Sequence, residues 1–234
     1  MKIEIWSDVV CPFCYIGKRK LEQALDNFPQ KDQIEIEWKS FQLNPDLKTD
    51  PSLSSLEYLS KSKGWSMPQT IQITQQVVDM ANEVGLEYHL DKTVVANTMN
   101  AHRLIHLAKE SNNGGEMKER LLKAYFTEGK NVDDSEILIS LGTEVGLDAD
   151  RIKQMLNSDE FENAVRQDIY ESQQVGVKGV PFFVLDRKFG ISGAQPDQVF
   201  TQTLEKAWED YKKSNPVINM VGDGDSCDVD GENC

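Results

Sequence analysis

Apolar and polar positions alternate from the start of the chain. Lys2-Ile3-Glu4-Ile5-Trp6 has the two-residue period of a β-strand. The next stretch, YIGKRKLEQALDNF, carries Ile16, Leu21, Leu25 and Phe28 at roughly helical spacing. Gln33 to Phe41 alternates again and reads as a second strand, followed by a loop with Asn44-Pro45 and Asp50-Pro51. From Ser54 to about Gly176 the pattern is almost entirely helical. A helix is predicted over 69–84, with Ile73, Val77, Ala81 and Val84 on one face. Shorter amphipathic helices are predicted over 97–110, 116–128, 135–145 and 148–156, and a longer one over 159–175. Gly85, Gly114-Gly115, Gly129 and Gly146 read as helix stops. Val180 to Leu185 is a compact apolar strand, and Lys188 to Ile191 can pair with it as a short hairpin. A last helix over 196–213 has Val199, Leu204, Ala207, Trp208 and Tyr211 as its apolar positions.

Without the long helical block, the order is strand, helix, strand, then helix, strand, strand, helix. That is the thioredoxin order. The expected fold is α/β, a thioredoxin-like fold with a large all-helical insertion. Its thioredoxin-like domain is expected to be discontinuous, 1–45 and 160–213, around an inserted helical domain at 46–159. Residues 214–234 are rich in Gly and Asp, lack a helical stripe and read as a Cys-containing C-terminal tail.

Composition narrows the function. The 234 residues include 25 Lys and Arg against 39 Asp and Glu, a net charge of −14. No basic surplus is present to replace counterions on a phosphate backbone, so nucleic acid is not an expected partner. No apolar run approaches the ~20 residues needed to cross a bilayer, so no membrane association is expected. The first strand begins almost at residue 1, with no basic segment and apolar run of a secretory leader before it, and a cytoplasmic protein is expected.

Four cysteines fall into two local pairs, Cys11 with Cys14 and Cys227 with Cys234. The first pair, in WSDVVCPFC, sits where the first strand hands over to the first helix. A thiol there meets unpaired backbone N–H groups and the positive end of the helix dipole, which favour a thiolate. The Cys11 thiol is therefore expected to ionise below its ordinary range. Cys14 lies one turn on, in reach of a mixed disulfide, and Pro12 suits the first helical position because it has no N–H to leave unpaired. Two other readings compete: half of a zinc site, which needs two further ligands, and a pair of inert core thiols. The second signal is Gly179-Val180-Pro181-Phe182, a proline opening an internal strand, where it cannot donate to the ladder.

SDVVCPFCYIGK, FQLNPDL, NTMNAHRLIHLA, AYFTEGKNVDD and GVKGVPFFV, in that order, carry a family resemblance. Over about residues 1–212 the chain resembles the DsbA-like thioredoxin-fold oxidoreductases. Within them it is similar to the FrnE-like branch, related to 2-hydroxychromene-2-carboxylate isomerases and kappa-class glutathione transferases. The resemblance implies that Cys11 is the attacking thiol, Cys14 the resolving thiol and Pro181 a cis-proline facing them. Substrate contacts are expected from Pro12, Phe13, Val180 and Pro181, and from His102, which either lines the groove or lies on the buried face of its helix. In the isomerase branch a serine commonly stands at the position of Cys11, and a Ser-Asp pair grips glutathione. Here Ile191-Ser192-Gly193-Ala194-Gln195 has no acid. The expectation is therefore a thiol–disulfide oxidoreductase acting on protein or small-molecule thiols and disulfides. Recycling is expected from a thioredoxin-type protein or glutathione, without a cofactor, in a monomer or homodimer. The alternatives are a glutathione-dependent isomerase or transferase and a non-catalytic thiol metal-binder or redox sensor.

Some residues are open to two readings. His102 and His106 stand one helical turn apart without a third ligand, so no metal site is expected. Asp8 is either a local proton acceptor or a turn aspartate. Cys227 and Cys234 are expected to form an auxiliary redox disulfide, with a local staple as the alternative. DGDSCDVDGENC fails as a calcium loop because, counting from Asp223, its fifth and twelfth positions are cysteines and its sixth is Asp228.

Overall fold

The computed structural model describes residues 1–216. The expected Cys227–Cys234 pair lies outside the described residues. The frame is a four-stranded sheet in the order β2-β1-β5-β6. Strand β1 (Lys2–Ser7) pairs in parallel with β2 (Glu35–Ser40) and antiparallel with β5 (Phe182–Leu185), which pairs with β6 (Phe189–Ser192). Helix α1 (Pro12–Asp26) connects β1 to β2, helix α8 (Glu162–Gln174) precedes β5, and α9 (Asp197–Ser214) closes the domain.

The alternation of β1 sorts its side chains between two faces. Ile3 and Ile5 join Leu21 and Leu25 of α1, Phe28 just past its end, and Phe200, Leu204 and Trp208 of α9 in one core. Trp6 points the other way, packs on Val177 and Val184, and donates from Nε1 to the Asp168 carbonyl of α8 at 2.8 Å. Glu4 shares that second face. Alternation alone suggests a solvated side, yet Glu4 is buried, because β1 is a central strand covered on both faces. Its carboxylate is met by Arg187 from the β5–β6 turn. Asp186 and Arg187 both adopt positive φ, 50° and 55°, the two left-handed residues of the turn that the Lys188 N–H closes on the Leu185 carbonyl.

The insertion is helical apart from one feature that the sequence hid. Strand β3 (Asp50–Ser54) pairs antiparallel with β4 (Val94–Val95) in a small ribbon. Pro51 and the short length of both strands masked it. The helices of the block are α2 (Ser55–Lys63), α3 (Met67–Glu83), α4 (Met99–Lys109), α5 (Gly114–Phe126), α6 (Ser135–Glu144) and α7 (Ala149–Leu156). Gly85, Gly129 and Gly146 take positive φ just past helix ends, as the stop reading requires. Gly114 and Gly115 instead open α5. The stop before them is the turn of Ser111 to Asn113, where Asn112 holds a φ of 60°.

The block does not keep a separate core. Val9, Tyr15 and Ile16 pack into the same apolar cluster as Leu104, Met117, Leu121 and Phe126. Helix α1 is thus wedged between the sheet core and the block core. Gly17 permits its close approach to the sheet: a Cβ there would lie 3.0 Å from Pro181 Cγ and 3.1 Å from Phe183 Cζ. Replacement by valine introduces this clash, which outweighs the higher helix preference of valine over glycine. Gly17→Val is expected to cost about 1–3 kcal/mol of unfolding free energy, read by urea denaturation. A loss below about 0.5 kcal/mol, the range of an ordinary surface change, would contradict this packing.

Candidate active site

The head of α1 is built from local sequence. Cys11 is the N-cap residue with an extended backbone, Pro12 starts the helix, and the Cys14 N–H donates to the Cys11 carbonyl at 3.0 Å. No cap side chain accepts from the first turn, so its N–H groups remain available to the thiols. Tyr88, from the loop after α3, fixes this turn by donating to the Pro12 carbonyl at 2.7 Å and stacking on Phe126. Both cysteines are free thiols. Cys11 is 4% exposed and Cys14 1%. The Cys11 thiol donates to the Val180 carbonyl at 3.5 Å. The Val180–Pro181 bond is cis. Phe13, between the cysteines, is exposed, as is Leu43 nearby, whose N–H donates to Asp8 Oδ2 at 2.8 Å.

Beneath the thiols lies a set of buried polar groups. Asp8 accepts from the amides of Val9 and Leu43, and from His102 of α4 at 3.1 Å. Asp8 only accepts, so the proton of that last bond belongs to His102 Nε2. Burial pushes the Asp8 carboxyl upward, but His102, the Leu43 amide and Lys118 hold it below its usual range. Burial also lowers the His102 imidazole, which is neutral at pH 7 despite its Asp8 partner. Lys118 of α5 is 1% exposed and donates to the Ser7 carbonyl at 3.2 Å.

The dithiol titrates as a pair. Burial raises the Cys14 thiol, but the Cys11 thiol, Lys118, the Ser7 hydroxyl and the Asp8 amide together bring it below its ordinary value. Cys11 is held up by its hydrogen bond to Cys14, by burial and by the charges of Cys14 and Asp8. The first negative charge therefore rests on the Cys14 side. This departs from the expectation that the helix terminus depresses Cys11, because the charge of buried Lys118 favours the Cys14 thiolate.

The sequence-predicted residues separate into two groups. Cys11, Cys14, Pro12, Phe13, Val180 and Pro181 come together at one end of the sheet. His102, expected to touch substrate, is 1% exposed and faces Asp8, so it stands behind the dithiol. Asp8 is both a turn aspartate and a neighbour of the thiols. Lys118 was missed. Its signal lay in the helical stripe: it falls four residues before Leu122 and directly after Met117, on the buried face of α5. Among the described residues no cluster of three or more His, Cys, Asp or Glu could hold a metal. No described helix is long and apolar enough to cross a membrane.

A second buried set lies on the opposite flank. Asp168 accepts from the Ser40 amide at 2.8 Å and from His106 Nε2 at 3.1 Å, while Ser40 Oγ lies 3.2 Å from the same nitrogen. These are the residue types of a hydrolytic triad, but one nitrogen faces both partners, so the imidazole cannot relay a proton between them. Ser40 is also buried. The set pins α4 and α8 to β2.

The family and its relatives agree with this architecture. The DSBA-like thioredoxin domain matches residues 2–205. The uncharacterized protein YwbO of Bacillus subtilis (strain 168) is 33% identical over 213 residues, covering 90% of this chain and 97% of that protein. A protein described as a probable DsbA oxidoreductase from Streptomyces coelicolor is 36% identical. Its structure superposes with a TM-score of 0.86 over 99% of this chain and 97% of that one. The cytosolic disulfide reductase DsbM of Pseudomonas aeruginosa, solved with and without glutathione, shares the fold. It superposes with a TM-score of 0.61 at 15% identity, over 93% of this chain and 100% of that one, for the structure without glutathione. The chain belongs to the DsbA-like thioredoxin family, a family of oxidoreductases.

Asp168 gives a test of the buried frame. Burial raises its carboxyl, but His106, the Ser40 amide and Lys109 bring it to about 2. A carboxyl depressed on folding contributes stability that is full above its unfolded value, about 3.9, and is lost as pH falls towards about 2. Asp168→Asn is expected to cost about 2 kcal/mol at pH 7, with the gap from wild type narrowing below about pH 4. Urea denaturation across this range checks it, and a gap independent of pH would contradict it.

Proposed function

We propose that this chain is a dithiol–disulfide oxidoreductase in which Cys11 and Cys14 exchange electrons with thiols and disulfides of other molecules. The observation that carries the reading is the pairing of two free thiols at a helix N-terminus over a buried cation. The inert-core reading accounts poorly for that cation, because burying an ammonium beside two ordinary apolar thiols is costly. The zinc reading lacks further ligands among the described residues.

Cys11 is the thiol that meets the substrate. It is the less buried of the two and lies beside the Val180 carbonyl, an acceptor for the backbone of an extended peptide. Exposed Phe13 and Leu43 offer apolar contact to such a client. The negative charge held on Cys14 reaches Cys11 by a proton shift within their shared hydrogen bond. The Cys11 thiolate then attacks one sulfur of a client disulfide. A mixed disulfide forms, and the client's other sulfur leaves as a thiolate. Cys14 then gives up its proton to water and attacks Cys11 Sγ as a thiolate, closing the Cys11–Cys14 disulfide and releasing the client's second sulfur as a thiolate. The reverse sequence oxidises a client dithiol. A thioredoxin-type protein or a small thiol such as glutathione resets the pair, in a cytoplasmic setting.

In this reading Cys11→Ser abolishes exchange with a model disulfide. Cys14→Ser accumulates mixed disulfides, because no local thiol then releases the client. Mass spectrometry of each variant incubated with a disulfide-bonded client distinguishes them. Trapped adducts on Cys14 of Cys11→Ser, and none on Cys11 of Cys14→Ser, would reverse the assignment.

A further inference from the structure

Lys118 is the buried cation that the exchange scheme does not yet use. Its ammonium makes one carbonyl hydrogen bond, to Ser7, and stands 5.8 Å from the centre of the Trp38 ring. Among the described residues no carboxylate lies within ion-pair distance of it. The charged and titratable groups facing it come from three sides. Cys11 and Cys14 lie on α1, Asp8 on the loop after β1, and Lys109, which repels it, on α4 with neutral His102. One carbonyl and one aromatic face are weak compensation for an ammonium out of water. The remaining compensation points to the dithiol and Asp8. Burial brings the ammonium down to about 8, and the charges of Cys14, Asp8 and Cys11 oppose that fall.

We propose that Lys118, supplied by the helical insertion, is the counter-cation of the Cys14 sulfur and stabilises it as a thiolate. The inference rests on the exchange reading above. Lys118 is a positioning residue that acts through Cys14 in both directions. When a client is reduced, Cys14 attacks as a thiolate: the Cys14–Cys11 bond forms, the Cys11–client bond breaks, and the charge leaves on the client sulfur, which takes a proton from water. When a client is oxidised, its thiolate attacks Cys11 of the disulfide. The Cys11–Cys14 bond breaks, and Cys14 leaves as a thiolate that Lys118 receives. Asp8 keeps the site neutral while the pair is oxidised, so the cation does not stand alone. The helical block thereby takes part in the chemistry of the dithiol.

Lys118→Met keeps the stem and removes the charge, whereas Lys118→Arg keeps the charge. Each is placed in a Cys11→Ser background, and the ionisation of Cys14 is followed by thiolate ultraviolet absorbance against pH. Lys118→Met is expected to raise the midpoint by about one pH unit, tenfold in ionisation, with Lys118→Arg staying near the parent. With both cysteines present, Lys118→Met should shift the equilibrium with glutathione about tenfold towards the disulfide, about 30 mV. Unchanged midpoint and equilibrium would overturn the proposal, as would equal shifts in both variants, since shape and not charge would then matter. Should Lys118→Met fail to fold, proton uptake on reducing the wild-type disulfide at pH 7 decides. About one proton per disulfide supports a retained thiolate, and about two overturns it. Wild type unable to exchange disulfides would instead refute the exchange reading itself.

Discussion

Charge held out of water needs a partner, and that requirement organises this molecule around the head of α1. Asp8, Lys118 and the dithiol are each almost fully buried. None could stay there alone at acceptable cost. Asp8 is met by two amides and His102, and Lys118 by a carbonyl, an aromatic ring and the sulfurs. These groups come from β1 and the loop after it, from β2, and from α1, α4 and α5. The thioredoxin-like frame and the inserted block must therefore dock in one register for any of the charges to be satisfied.

The packing enforces that register. Helix α1 faces the sheet with Leu21 and Leu25 and the block with Tyr15 and Ile16. On the other flank Asp168 binds β2 and α4 together, and Trp6 ties β1 to α8. Arg103 of α4 is buried as well, donating to the carbonyls of Met155, Ser158 and Glu160 and so holding the α7–α8 connection. The segment AHRLIH thus spends three polar side chains on buried carbonyls and carboxylates. The rigidity this gives is what a dithiol needs if its sulfurs are to remain in exchange distance.

Much of this was legible in the sequence where pattern and chemistry are local. The alternation in β1 and β2, the helical stripes and the Cys-Pro-Phe-Cys junction depend on neighbours in the chain, and they sufficed to order the thioredoxin elements. What stayed hidden depends on distant partners. Lys118 looks like any helix lysine until α5 is placed against β2 and α1. His102 and His106 invite a metal reading until Asp8 and Asp168, far away in sequence, take them as donors. The β3–β4 ribbon has too few residues to show a period. Gly114-Gly115 carried a stop signal equally consistent with a start. The balance of charge between Cys11 and Cys14 depends on the surrounding shell, Lys118 and Asp8 included, which the helix terminus alone does not reveal.

The central claim is that Cys11 and Cys14 form one reversible two-electron couple. The most direct measurement equilibrates the protein across a series of reduced-to-oxidised glutathione ratios, quenches with acid, alkylates the free thiols and reads the masses of the Cys11–Cys14 peptide. The account predicts a single reversible transition between a doubly alkylated peptide and an intramolecular disulfide, with little glutathione adduct at any ratio. A stable glutathione adduct on Cys11, or free thiols under every condition, would contradict it.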